Sequence, residues 1–197
     1  MPYARTAHVD VFRSVADPIE TVLFTDGLKR VIQTKKDATV FQGKAAAPAD
    51  VMTVSGCIAF DQMGRAFETR FPTTEAKSAA VNLVFNPVCD AKAPPTTTAF
   101  DVLGRPLVTT LPDGTATHVA YTLGGDRHGQ SRFTTTVLDA LGTKNVTYRD
   151  IKERILAVQQ FNAAKGEVIW TEYGYDAAGN VTRRITANLR ATSQAIT

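Results

Sequence analysis

Phe100-Asp101-Val102-Leu103-Gly104-Arg105 decides the reading of this chain. Asp at the first position of a type I turn accepts hydrogen bonds from backbone amides about two residues on. Gly at the fourth position supplies a positive φ without steric cost. A type I turn followed by a left-handed residue is a common hairpin connection. The aromatic before Asp therefore ends one strand, and the residues after Gly begin the next.

The unit recurs, and a recurring unit sets the architecture. Phe60-Asp61-Gln62-Met63-Gly64-Arg65 matches it closely, Leu138-Asp139-Ala140-Leu141-Gly142-Thr143 more loosely, and Tyr175-Asp176-Ala177-Ala178-Gly179-Asn180 again well. The aspartates stand at 61, 101, 139 and 176, a period of 37–40 residues. Phe24-Thr25-Asp26-Gly27-Leu28-Lys29-Arg30 is counted as a fifth copy, with one extra residue and Lys29 where Gly is expected. Asp150-Ile151-Lys152-Glu153-Arg154 is a related turn that lacks Gly.

The flanks are strand-like. Pro106 to Leu111 is rich in β-branched and apolar residues, and Pro112-Asp113-Gly114 marks another turn. In the strand that follows, Thr115, Thr117, Val119 and Tyr121 share one face, with Ala116, His118 and Ala120 on the other. Glu167 to Tyr175 leads into the last turn and Val181 to Ile185 leads out of it. The fold expected is all-β: consecutive antiparallel hairpins over residues 1–197 as one region. Turns fall near 26–30, 61–65, 101–105, 139–143 and 176–180, and loops near 44–50, 86–98 and 124–130. A short helix is expected within 73–84, because Glu75-Ala76-Lys77-Ser78-Ala79-Ala80 contains good helix formers.

Composition narrows the function classes. The 197 residues are 44% hydrophobic and 21% charged, with a formal net charge of +3. Lys35-Lys36 and Arg183-Arg184 read as solvated strand ends, so no nucleic-acid partner is expected. No stretch approaches the ~20 apolar residues of a membrane span. Met1 to Arg5 lacks the apolar core of a signal peptide, and Thr6 to Phe12 already reads as strand, so the chain is expected to be a piece of something longer. Cys57 and Cys89 are too few for a disulfide framework. The simpler reading is two small, partly buried side chains, and the sequence leaves their pairing open.

Catalytic patterns are not apparent. His8, His118 and His128 have no metal-ligand spacing, and no P-loop, dinucleotide fingerprint or nucleophile elbow occurs. No cofactor is expected. The repeated aspartates suggest calcium or acid–base chemistry at first sight, but turn formation accounts for Asp and Gly together. Asp26, Asp61, Gly64, Arg65, Asp101, Gly104, Arg105, Asp139, Gly142, Asp176 and Gly179 are therefore assigned to turns. The lead-in aromatics Phe60, Phe100 and Tyr175 read as cross-strand packing. Trp170, Tyr173 and Tyr175 are retained as candidate binding aromatics, with Trp170 and Tyr173 on opposite strand faces.

The units at Phe100–Arg105 and Tyr175–Asn180 resemble YD repeats of the RHS superfamily. Phe24 to Lys35, Tyr148 to Asn162 and Ile169 to Asp176 resemble more closely the SpvB-like and TcB-like proteins, the B components of insecticidal toxin complexes. The resemblance covers about residues 20–186. It implies hairpins winding into a long antiparallel sheet that closes as a hollow shell. Such a shell keeps a toxic C-terminal polypeptide unfolded until delivery and docks, through a propeller elsewhere, to a pore-forming A component. This chain is too short to close and would supply an arc of the wall. Its partners would be the rest of the shell and the cargo, outside the producing cell. The departures at Lys29, Thr143 and the 150–154 turn put regular winding in doubt there. The self-cleaving core motif is absent, since the one Asp-Pro, Asp17-Pro18, lies at the wrong end. An adhesion module holding glycans and a fragment of a toxin enzyme such as an ADP-ribosyltransferase are the alternatives. Open β-edges predict self-association of an isolated arc.

Overall fold

From Ile19 to Thr25 the chain buries Glu20, Val22 and Phe24 and leaves the residues between them half-exposed. That period of two marks a strand packed on one face. Sixteen strands and one short helix, joined by turns and loops, occur among the described residues of the computed structural model. These are all residues other than 11, 13–15, 42–46, 91, 163–166, 189–193 and 197. The architecture is all-β and antiparallel. The chain divides into two compact units, residues 1–98 with 111–113 and residues 99–110 with 114–197.

In the first unit, β1 (Tyr3–His8), β2 (Ile19–Thr25), β3 (Val31–Phe41), β4 (Pro48–Ser55) and β7 (Thr73–Ala76) form a sheet in the order β1-β2-β3-β4-β7. The register pairs Phe24 with Gln33, Val22 with Lys35, Lys35 with Val54 and Asp37 with Met52. These residues share one buried face, apolar on β2 and β4 and polar along β3. Residues 77–89 cross that face and carry the helix α1 (Ala79–Asn82), whose N-cap Ser78 accepts a hydrogen bond from the Val81 amide. Phe60, Leu83 and Phe85 pack on the cluster of Val22, Phe24 and Ile32. Beside the sheet, β5 (Ile58–Phe60) and β6 (Ala66–Thr69) form a hairpin. β6 also pairs with the start of β8 (Thr96–Phe100).

The second unit is a meander of β9 (Pro106–Thr110), β10 (Ala116–Gly125), β11 (Ser131–Leu138), β12 (Lys144–Arg149), β13 (Ile155–Asn162), β14 (Glu167–Tyr175), β15 (Val181–Asn188) and β16 (Gln194–Ile196). Each strand pairs with its sequence neighbour. Its core is Val146, Tyr148, Ala157 and Trp170, with Phe161 packed alongside.

Three expectations change. The helix expected within 73–84 shrinks to Ala79–Asn82, and Thr73–Ala76 is a strand. The β-branched pair Thr73-Thr74 finds a ladder on β4, where Val54 and Thr53 oppose it, and that pairing outweighs the local helix preference. The expected loops are shorter: Pro48–Asp50 open β4, Thr96–Thr98 belong to β8, and Gly124 and Gly125 end β10. Residues 44–46 lie outside the described residues. The cysteines, read as separate side chains, form the disulfide Cys57–Cys89 with Cα atoms 6.3 Å apart. Their 32-residue separation gave no sequence signal for this; sheet topology brings them together.

Candidate functional site

The Asp61 turn shows how each repeat closes. Asp61 Oδ1 accepts from the amides of Met63 and Arg65, both at 2.9 Å. Oδ2 accepts from Arg65 Nε at 2.7 Å. The Asp61 amide donates to the Arg65 carbonyl at 2.9 Å, and the Gly64 amide donates to the Asp61 carbonyl at 2.9 Å. One carboxylate thus satisfies two turn amides and anchors the guanidinium four residues on. Asp101 with Arg105 repeats this, its Oδ2 accepting from Arg105 Nε at 2.7 Å. Asp26 with Arg30 and Asp150 with Arg154 do so without glycine in the turn's fourth place. Asp139 bonds only the amides of Leu141 and Thr143, because Thr143 brings no guanidinium. At Asp176 the Asn180 side-chain amide takes the arginine's role, at 2.9 Å. In the loop expected near 124–130, Asp126 closes the turn in the same way: it bonds the amides of His128 and Gln130 and draws in Arg132 Nε at 3.1 Å.

The fourth residue is left-handed throughout. Gly64 has φ 78° and Gly104 80°, while Lys29 and Glu153 take 63° and 60°. Such a φ costs an L-residue roughly 1–2 kcal/mol, and glycine returns about 0.5–1 kcal/mol through its freer unfolded chain. Lys29→Gly and Glu153→Gly should therefore each stabilise the protein by about 0.5–1 kcal/mol. Urea denaturation checks this; unchanged midpoints would count against the turn geometry.

The anchored guanidinium also meets an aromatic ring. Arg30 Cζ lies 3.8 Å from the Phe60 centroid, Arg105 Cζ 4.1 Å from that of Tyr121, and Arg154 Cζ 5.0 Å from that of Tyr175. Phe60 precedes Asp61 and Tyr175 precedes Asp176, so in two cases the ring is the lead-in aromatic of a later repeat. Arg30 Nη1 further reaches the Gly64 carbonyl at 3.2 Å, and Tyr175 donates to the Ile155 carbonyl at 2.7 Å. Each such contact contributes about 0.5–1 kcal/mol at a surface site. The signal for this ladder was present in the sequence, because Arg recurs four residues after Asp while an aromatic precedes it.

Electrostatics follow the bonding. Partial burial is the largest single influence at Asp26, Asp101, Asp126 and Asp150 and opposes ionisation. The amide and arginine hydrogen bonds together outweigh it and hold these carboxyls below the usual range. At Asp61 the Arg65 amide leads, and at Asp176 the Asn180 side chain, with the same net direction. A carboxyl with a depressed folded pKa adds stability above its unfolded pKa and loses it as pH falls through the folded one. Stability should therefore hold from neutrality down to about pH 5 and decline below about pH 4. Denaturant midpoints across that range test this; a decline beginning near pH 6 would contradict it.

The candidate binding aromatics separate. Trp170 is 2% exposed, its ring 5.2 Å from Tyr148 centroid to centroid, so it offers no surface platform. Its Nε1 donates to Glu172 Oε1 at 2.8 Å. That same oxygen lies 2.9 Å from His128 Nε2, on the 126–130 turn. Tyr173 is half-buried on the other face of β14 beside Gly174 and Arg183, and Tyr175 stands under Arg154. His118 is exposed on β10. Among the described residues no three His, Cys, Asp or Glu converge on a point that could hold a metal, and no helix is long and apolar enough to cross a membrane. The aspartates each serve their own turn. An open groove of about 890 Å³ lies in the second unit, walled by Tyr121, Leu123, Phe133, Arg149, Ile151 and Ile155. Phe133 is 53% exposed there and Ile151 87%.

No family model matches this sequence, and no curated protein matches it. Among solved structures, the chain is similar to one described as TcdB2-TccC3-TEV, with a TM-score of 0.67 and 16% identity over 93% of this chain. It is also similar to TcdB2-TccC3-Cdc42, with a TM-score of 0.60 and 16% identity over 85% of this chain. The chain spans 10% and 9% of the length of those two chains. At this identity the likeness concerns the fold alone, an antiparallel β architecture shared with part of those structures.

Proposed function

We propose that this chain is a non-catalytic wall segment of an RHS-type toxin shell that encloses or scaffolds a toxic polypeptide outside the producing cell. The observation that carries the reading is the likeness to the TcdB2-TccC3 structure, which runs over 93% of this chain and 10% of that one. The latched hairpins support it, since an array of self-closed turns suits a long wall. The groove beside Phe133 and Ile151 suits an unfolded segment of cargo lying on the sheet. On this reading the partners are the rest of the shell, the cargo and a pore-forming component, and catalysis belongs elsewhere in the assembly. The test is co-expression of the complete protein containing this chain with its toxin partner, followed by added protease. Cargo that survives until the shell is denatured supports enclosure; cargo degraded at once overturns it. NAD turnover by this chain would overturn the non-catalytic part.

A further inference from the structure

Residues 77–89 lie across the buried face of β2, β3 and β4 as a strap. Polar side chains hold it there at successive points. Lys77 Nζ bonds Asp37 at 2.8 Å, Lys35 Nζ bonds the Val81 carbonyl at 3.1 Å, and Asn82 Nδ2 bonds Glu20 at 2.8 Å. Gln33 treats Asn86 as a strand partner would: its Nε2 donates to the Asn86 carbonyl at 2.6 Å, and its Oε1 accepts from the Asn86 amide at 2.9 Å. Gln33, Lys35 and Asp37 alternate along β3, so they point the same way and meet the strap in order. Leu83 and Phe85 add apolar contact with the Val22, Phe24 and Ile32 cluster.

One covalent bond fastens the far end of this strap. Cys89, at its end, is joined to Cys57, just before β5. Both cysteines hold left-handed backbone, φ 26° at Cys57 and 51° at Cys89, in the region that L-residues avoid. Gly56 before them has φ 93°, and a Cβ there would stand 3.1 Å from the Gln33 Cα. Gln33 Nε2 lies 3.4 Å from Cys57 Sγ and 3.3 Å from Cys89 Sγ, so one buried donor faces both sulfurs. Both cysteines also border a small open recess of about 150 Å³, together with Glu68, Arg70 and Phe85.

We propose that Cys57–Cys89 is a thiol-sensitive latch on this strap. Oxidised, it fastens residues 83–89 over the core; reduced, it lets them lift away. A low-molecular-weight thiolate such as glutathione enters by the recess and attacks one sulfur. The protein disulfide breaks, a mixed disulfide forms, and the other sulfur leaves as a thiolate that receives the Gln33 N–H. A second thiolate then attacks the mixed disulfide. The products are two protein thiols and one oxidised glutathione, with two electrons passed to the protein. Opening relieves the left-handed backbone at both cysteines. Apart from the Leu83 and Phe85 contacts, the strap's remaining ties are hydrogen bonds and ion pairs that compete with water. An oxidising exterior keeps the latch closed, and a compartment holding millimolar thiol opens it. This inference does not depend on the enclosure reading.

The test uses the full chain under native conditions with millimolar glutathione, alkylation to detect thiols, and amide exchange. Both cysteines should become alkylated without denaturant. Exchange over 78–89 should quicken roughly tenfold or more, while 131–149 stays unchanged and reoxidation restores slow exchange. Three results overturn the latch: cysteines that react only after denaturation, free thiols with unchanged exchange over 78–89, and loss of protection across β2 to β4 as well, which would make the bond a general staple. A Cys57→Ser, Cys89→Ser chain should exchange rapidly without reductant. If that variant does not fold, reduction and reoxidation of the unaltered chain decide alone.

Discussion

Trp170→Ala is expected to remove about 3–5 kcal/mol of stability from the second unit. The ring is among the most buried groups there and packs on Tyr148 among Val146 and Ala157. Its loss opens a cavity bordered by strand backbones that are held in register and cannot close on it. It also strips Glu172 of one donor, leaving His128 and Arg127 on that carboxylate. Trp170→Phe keeps an aromatic against Tyr148 and loses the N–H donor, so it should cost less, about 1–2 kcal/mol. The chain has a single Trp, so denaturation of both variants is followed by circular dichroism. A loss below about 1 kcal/mol for the alanine variant would mean that the ring is not part of a packed core.

Lys35→Ala is the second large effect, and its size rests on charge. Lys35 is 1% exposed, its Nζ 2.5 Å from Glu75. Breaking a buried pair from one side costs about 3–5 kcal/mol; Glu75, whose side chain is 16% exposed and still accepts from the Asn86 side-chain amide, places the loss toward the lower end. The substitution also frees the Val81 carbonyl on the strap. Replacing both members with apolar residues of similar volume should recover most of the loss, because burying a pair costs nearly as much as its attraction returns. The pair of Lys35→Met and Glu75→Leu, alone and combined, gives that coupling from urea midpoints. Additive losses would show that the two side chains do not act as a pair.

What the sequence disclosed follows how local each interaction is. The turns at Asp61, Asp101 and Asp176 are written within five or six residues, and Asp with Gly names their geometry. Asp150 and Asp26 were harder, because Glu153 and Lys29 occupy the left-handed position that glycine advertises. Asp126 has Gly129 in the fourth place but Gly125 where the other copies carry an aromatic or leucine, and its guanidinium comes from Arg132, six residues on. The first sheet was the least legible part. Its central strand buries Gln33, Lys35 and Asp37, a pattern that reads as an exposed strand face until the 77–89 strap is seen covering it. The Cys57–Cys89 pair and the contact of His128 with Glu172 depend on chain segments 32 and 44 residues apart, and no local pattern encodes them.

The closure of each turn by groups only two to six residues apart bears on how the chain folds. A hairpin needs about 1–10 μs to form when nothing distant is required, and proteins rich in local pairings have low contact order and fold early. Every strand of the second unit pairs with its sequence neighbour, so it can grow hairpin by hairpin behind a moving C-terminus. The first unit must wait: β4 pairs with β7 across an intervening hairpin, and Gln33 meets Asn86 only after 53 residues. The two halves of the chain therefore become structured on different clocks, and the later one is the half whose strap and disulfide close last.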